Sequence, residues 1–235
     1  MNKFLFLLCF FSTSLVFSQN SSVQVVYKVK DVVSDANMNT IPSNIKNTLI
    51  SVIKEAEKQS FVLTYSSNQS SYVAENLMTK GETGSNISML ARAQFTGMYD
   101  YFFDFNTNVE ILKNNNDSKL LSKKYVPLNW KVTSESKTID SYLCYKAFFE
   151  IPYVTRDNRE RNKVGYVWFT PSLPFVVGPK EYVGLPGLVI EVHEENIVYY
   201  ADKIKLNSVQ QVVFPKGKTI PKEEYDKKLK AQMGM

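Results

Sequence analysis

The chain has 235 residues, 44% of them hydrophobic and 13% aromatic, with 28 Lys and Arg against 23 Asp and Glu for a net charge of +5. That length can bury one sizeable core, and so mild a charge, scattered along the chain, is not the footprint of a nucleic-acid-binding protein. A single histidine excludes a multi-histidine metal centre.

The first predicted element is a signal for export. Lys3 precedes an apolar run from Phe4 to Phe17 that is short for a bilayer span, is interrupted by Ser12, Thr13 and Ser14, and has no stop-transfer segment after it. Residues 1–18 therefore read as a signal peptide cleaved after the small residue Ser18, which leaves Gln19 as the first mature residue and no transmembrane segment. Cys9 lies inside the apolar run behind Phe6-Leu7-Leu8, which is not a lipoprotein processing site. The mature chain, 19–235, reads as one domain with a single cysteine, Cys144, so it has no internal disulfide although it enters a compartment that permits them.

Along the mature chain the dominant period is two. Val23, Val25, Tyr27 and Val29 alternate with Gln24, Val26, Lys28 and Lys30 as a half-buried strand. A helix is predicted next, after Pro42 and a Ser43 cap, because Ile45, Leu49, Val52, Ile53 and Ala56 recur at helical spacing. Phe61, Leu63 and Tyr65, then Tyr72 to Leu77, form a hairpin about the polar stretch Ser66 to Ser70. Tyr99, Tyr101, Phe103 and Phe105 alternate before a turn at Asn106-Thr107-Asn108 and a strand from Val109 to Lys113.

Further strands are predicted at Lys124 to Val126, Trp130 to Ser134, Ser141 to Ile151, Lys163 to Phe169, Leu188 to Val192, Ile197 to Leu206 and Val209 to Phe214. Arg156, Arg159, Arg161 and Lys163, diluted by Asp157 and Glu160, make a solvated hairpin loop. After Pro221, acidic Glu223 and Glu224 followed by Lys227, Lys228 and Lys230 predict a short polar helix whose charges complement its dipole. The sum is a mainly β domain: a large curved antiparallel meander, in the limit a half-barrel, with one amphipathic helix on a face and a short C-terminal helix.

The chemistry-bearing residues are few. Cys144 sits in Tyr142-Leu143-Cys144-Tyr145-Lys146-Ala147, where a thiol behaves as a small buried hydrophobe. Glu191 and His193 share a strand face, with Glu195 if the strand extends that far, and Glu194 points the other way, which reads as a polar sheet edge beside a turn. No nucleotide loop, nucleophile elbow or paired-cysteine zinc pattern appears, so no catalytic residue, metal ligand or cofactor is assigned.

The most specific segment runs from Gly178 to Glu191 and contains Gly184-Leu185-Pro186-Gly187-Leu188-Val189. Pro186 and Gly187 fit the two central positions of a type II turn, which would give Gly187 a positive φ. This run resembles the signature of the GLPGLI family, with Val189 where the family name has Ile. Trp130, Ile139, Tyr142 to Ala147, Trp168-Phe169-Thr170, Pro174 and Gly178-Pro179 resemble the family's other landmarks in order. The resemblance implies an exported Gram-negative envelope protein with no established general activity. Lys227 to Met235 does not look like a sorting domain for passage through the outer membrane, so the expected place is the periplasm or the periplasmic face of the outer membrane, with an extracellular location as the alternative.

Together these features point to a non-catalytic binding or carrier module for an apolar ligand or peptide. The alternative is an accessory protein docking on an outer-membrane or periplasmic partner, and an enzyme comes last. Tyr182, Gly184, Leu185, Pro186, Gly187 and Leu188 are the expected contact residues, because rigid turns often present side chains to ligands. The export reading predicts that the mature protein's intact mass corresponds to a chain beginning at Gln19, with or without cyclisation to pyroglutamate. Retention of residues 1–18 would refute it.

Overall fold

A computed structural model describes residues 22–31, 42–75, 86–93, 97–155, 159–195 and 197–232. The expected signal peptide at residues 1–18, Gln19 and residues 156–158 of the expected basic loop lie outside the described residues.

Two meanders build one sheet. The first comprises β1 (Ser22–Asp31), β2 (Ser60–Ser66), β3 (Gln69–Ala74), β4 (Tyr99–Asp104), β5 (Val109–Asn114) and β6 (Leu120–Lys124). The second comprises β7 (Lys131–Ile139), β8 (Tyr142–Val154), β9 (Glu160–Thr170), β10 (Leu188–Glu194) and β11 (Ile197–Leu206), and β11 returns to pair antiparallel with β1. A short β12 (Thr219–Pro221) then adds to β6 in parallel, so the sheet is mixed rather than wholly antiparallel. Its twelve strands run in the order β12-β6-β5-β4-β3-β2-β1-β11-β10-β9-β8-β7.

That order forces curvature. β6 and β7 are ten strand spacings apart, about 48 Å in a flat sheet. Residues 125–130 join them directly, and a connection of that length reaches only about 25 Å when fully extended. The two halves must therefore curl toward each other. Tyr125 of this connection stands edge-on to Phe103 and Phe105 of the first half, with ring centres 5.7 and 5.5 Å away. Trp130 at its other end meets Phe149 at 5.9 Å and Tyr182 at 6.5 Å in the second half.

The alternation in the sequence selects which face lies inside this curl. Val23, Val25, Tyr27 and Val29 of β1 are buried while Gln24, Val26 and Lys28 are half-buried. Leu63, Tyr72, Phe103, Ala147, Val167 and Tyr199 continue the inner layer. The β2–β3 turn is tight because Ser67 and Asn68 both take positive φ, 53° and 60°, the geometry of a two-residue hairpin turn.

Helix α1 (Ser43–Glu57) packs Val52 and Ala56 against Ala91 of α2 (Asn86–Ala91) and Ile197 of β11. Pro42, not Ser43, is its N-cap: the Pro42 carbonyl accepts the amides of Ile45 and Lys46, both at 2.9 Å. Helix α3 (Lys222–Gln232) buries no residue and is laced by Lys222–Asp226 and Lys228–Glu224 pairs.

The strand expected at Tyr72 to Leu77 begins at Gln69, with residues 76 and 77 outside the described residues, and the one expected at Trp130 to Ser134 runs to Ile139. Two others depart further. The strand expected at Lys124 to Val126 lies earlier, at Leu120–Lys124, where Leu120 and Leu121 are buried and Val126 is exposed. The strand expected at Val209 to Phe214 does not form; that segment has strand composition and no neighbour to pair with.

The connection 171–187 between β9 and β10 fills the concave face. Leu173, Phe175, Val177, Tyr182, Val183 and Leu185 are all buried within the main core. A buried loop must satisfy its own backbone, and this one does so repeatedly. Phe175 N–H donates to Leu173 O at 2.7 Å, Gly184 N–H to Val176 O at 2.8 Å, Leu188 N–H to Leu173 O at 2.8 Å and Val189 N–H to Val177 O at 3.1 Å. The loop is a plug, and the interior of the curled sheet is packed with the chain's own side chains.

Candidate functional site

The signature residues sit at the end of the plug. Tyr182, Leu185, Gly187 and Leu188 are buried, whereas Gly184 and Pro186 are exposed. The expected type II turn is replaced by a tighter one, in which Gly187 N–H donates to Leu185 O at 2.8 Å across Pro186. Gly184, at φ +95°, takes the left-handed conformation in this segment; Gly187 does not. Gly187 is required for a different reason. A Cβ there would collide with the Thr170 carbonyl oxygen and stand 2.6 Å from its carbon.

A closed ion cluster clamps the plug to the sheet. Glu194, on the concave side of β10, accepts from Lys163 of β9 at 3.1 Å, from Lys180 of the plug at 3.3 Å and from the Tyr182 hydroxyl at 2.8 Å. Lys163 also meets Glu181 at 3.1 Å, and the Lys180 ammonium lies 4.2 Å from the centre of the Tyr199 ring. Burial by itself would raise the Glu194 carboxyl, but the Lys180 and Lys163 charges outweigh it and bring the pKa down to about 2. Burial, then the nearby glutamates, pushes the Tyr182 phenol well up, so it remains a hydrogen-bond donor.

The outer face of the second half has a different chemistry. The Lys146 ammonium lies 4.9 Å from the Phe148 ring centre, 4.6 Å from Tyr166 and 5.8 Å from Trp168, and it pairs with Glu135 at 3.0 Å. Lys137 covers Trp168 at 4.5 Å and pairs with Glu191 at 2.7 Å. His193 stacks on Tyr166 with ring centres 4.3 Å apart and bonds Glu191 at 3.1 Å. The His193 hydrogen bond, with Lys137, outweighs desolvation and lowers Glu191 to about 2. Glu191 and His193 thus share a face, Glu194 takes the opposite one, and Glu195 lies past the strand end at φ +52°.

Beside this lattice, Lys131, Phe148, Glu150, Val164 and Tyr166 line a mostly apolar groove of about 450 Å³. Phe148 is 37% exposed and Val164 58%, and with Tyr166 they line one groove rather than standing as scattered exposed side chains. These residues were absent from the expected site. Their signal lay in the sequence: Phe148, Val164, Tyr166 and Trp168 occupy outward positions that a half-buried hairpin normally gives to polar side chains. Cys144 is buried, its thiol pushed up to about 11 by desolvation, and is not placed for nucleophilic work.

The fold and this surface define a curled β-sheet protein with a self-filled interior. Residues 157–191, which span all of β9, the plug and the start of β10, match a family described as a protein of unknown function, Porph_ging. Among solved structures the chain is similar to "Structure of PNGF-II in C2 space group", with a TM-score of 0.55 and 14% identity over 88% of this chain. The chain spans about a third of that protein's length, 32%, and the likeness is one of fold. No curated protein matches the chain. Among the described residues, no helix is long and apolar enough to cross a membrane.

Two predictions follow from the plug. Gly187→Ala should destabilise by about 1–3 kcal/mol through backbone collision, and Leu185→Ser by a further amount typical of a buried leucine lost to a polar group, about 3 kcal/mol. Thermal melts of both variants check this; an unchanged melt for either would contradict the packing.

Glu194 sets an acid limit. Its folded pKa lies below the ordinary 4.5, so its stabilisation is complete above that value and is lost as pH falls toward about 2. Glu194→Gln should cost about 3 kcal/mol near neutrality, because Lys180 is left buried without its partner, and should flatten the loss of stability between pH 4.5 and 2. Denaturant titrations across that range, with wild type alongside, measure both effects.

Proposed function

We propose that this chain is a GLPGLI-like exported binding module of the bacterial envelope, working in the periplasm or on the periplasmic face of the outer membrane without catalysis of its own. It takes an apolar ligand, or an apolar stretch of peptide, in the groove on the outer face of β8 and β9. One observation carries this reading. The concave face, the usual ligand seat of a curled sheet, is filled by residues 171–187, while Phe148 and Val164 remain exposed around an apolar groove of about 450 Å³. Of the signature residues Gly184 to Val189, Gly184 and Pro186 have surface to offer a ligand, and the others support the fold from within.

The groove is also framed for an amphiphile. Lys131 and Glu150 stand at its rim as an exposed pair 3.9 Å apart, and since Glu150 also accepts from Asn162 Nδ2 it is Lys131 that can meet a polar end while Phe148, Val164 and Tyr166 contact the apolar part.

Native mass spectrometry of protein purified from its own envelope tests this, with Val164→Asp as the comparison. Val164 is exposed, and Asp there stands opposite Glu150 in the β8–β9 register, so the variant should lose about 1 kcal/mol and stay folded. Wild type should carry a lipid or peptide that Val164→Asp has lost. A ligand-free wild type, or a variant that keeps its ligand, would overturn the groove. An intact outer-membrane protein in place of a small ligand would favour the docking alternative.

A further inference from the structure

Beyond β11 the chain leaves the sheet and crosses the outer face of the first half as an extended strap, residues 208–214, on its way to β12. It is tethered at both ends. Ser22 Oγ donates to Ser208 O at 2.9 Å, Gln24 bonds Gln210, and the Phe214 ring packs on Phe102 with centres 5.8 Å apart.

Between the tethers the strap has the features of a strand without a partner. Val209, Gln211 and Val213 face solvent, with Val209 92% and Val213 75% exposed, while Val212 and Phe214 are half-buried against the sheet. Gln210 is exposed as well, so the period-two alternation of extended chain holds from Gln211 to Phe214. Gln210 N–H donates to Ser208 Oγ at 3.3 Å, but Val209, Gln211, Val212 and Val213 make no backbone hydrogen bond among the described residues. An uncharged run of β-forming residues with free amides and carbonyls is a template for strand addition.

The space beside it fits an extended chain. A groove of about 520 Å³ runs along the strap, with Val73 and Phe102 on its floor. Its charges are unequal. The Asp100 carboxylate is buried and already accepts from Ala74 N–H and Asn115 Nδ2, each at 3.2 Å. Lys113 and Lys216, which also line the groove, have no carboxylate partner among the described residues. The unmet demand is therefore for backbone hydrogen bonds, apolar side chains at alternate positions, and a carboxylate.

We propose that residues 209–213 are a docking strand for an extended segment of a partner polypeptide that carries an acidic residue, which pairs with the strap edge and sets its carboxylate against Lys113 and Lys216. The groove beneath lies on the opposite half of the sheet from Phe148 and Val164, so this interaction is independent of the apolar groove.

The probe is a blocked seven-residue peptide of alternating valine and threonine with one central glutamate, and its glutamine counterpart. In the free protein the amides of residues 209–213 should exchange rapidly with solvent, and the glutamate peptide should protect them. Val213→Pro removes an amide that bonds nothing in the free protein, so the fold should stay intact while affinity falls about tenfold. Lys113→Gln with Lys216→Gln should lower affinity for the glutamate peptide and leave the weaker glutamine peptide unaffected. Val164→Asp should change neither. Absence of binding at millimolar peptide, binding without protection of 209–213, or binding indifferent to Val213→Pro would overturn the proposal. Concentration-dependent protection of the strap in the protein alone would also overturn it, by naming a second copy of the chain as the occupant.

Discussion

The short connection between β6 and β7 is the constraint on which the rest of the structure depends. Six residues cannot bridge an eleven-strand width laid flat, so the sheet must bring its two ends together, and a concave apolar face is created whether or not a ligand is to occupy it. Such a face cannot remain open to water without losing the burial that stabilises the fold. The protein meets this demand internally. Tyr125 and Trp130 of the connection cover part of the opening, and the plug between β9 and β10 fills the remainder with Leu173, Phe175, Tyr182 and Leu185.

Filling a concavity with loop rather than helix or strand requires the loop to supply its own polar partners. The plug answers with backbone bonds at Leu173, Val176 and Val177, with the Trp130 indole donating to Val183 O at 3.1 Å, and with the Glu194 cluster. Lys180 shows how far this goes. A buried, non-glycine residue at φ +50° is unfavourable on two counts, and it is held there by Glu194 on one side and the Tyr199 ring on the other. The signature turn belongs to this packing: Pro186 fixes the local direction of the chain, and Gly187 lets its backbone lie against Thr170 without a side chain between them.

Much of the sheet was legible because alternation is a local signal. Val23 to Val29 bury the parity that their sequence marks as apolar, as do Phe61 and Leu63, whereas in β4 Asp100 and Phe102 are buried beside Phe103 because the strap covers the outer face there. The plug was not legible, since Leu173, Phe175 and Val177 alternate much as a strand does and only the topology decides that they fill rather than pair. The reading of Gly187 failed for a related reason. Proline followed by glycine allows a type II turn, but the neighbour that imposes glycine is Thr170, distant in sequence and adjacent only through the β9–β10 pairing. The outer groove required knowing that both faces of β8 and β9 are apolar, a feature that period-two reading treats as ambiguity rather than as a surface.

The sheet edge at β7 and the unpaired strap at 208–214 are treated differently, and the difference has physical meaning. β7 ends the sheet, yet it is blunted in the ways edge strands usually are. Its pairing with β8 shifts between Val132 and Ser136, Thr133 Oγ1 turns back to Lys146 O at 3.2 Å, and Lys131 and Lys137 place charge on it. Each device makes a further strand harder to add. The strap at 208–214 has neither charge nor bulge, and it exposes two valines to water. The sheet edge at β7 is protected and the strap, which lies off the sheet, is not, and on the proposal above that contrast keeps the strap available for pairing.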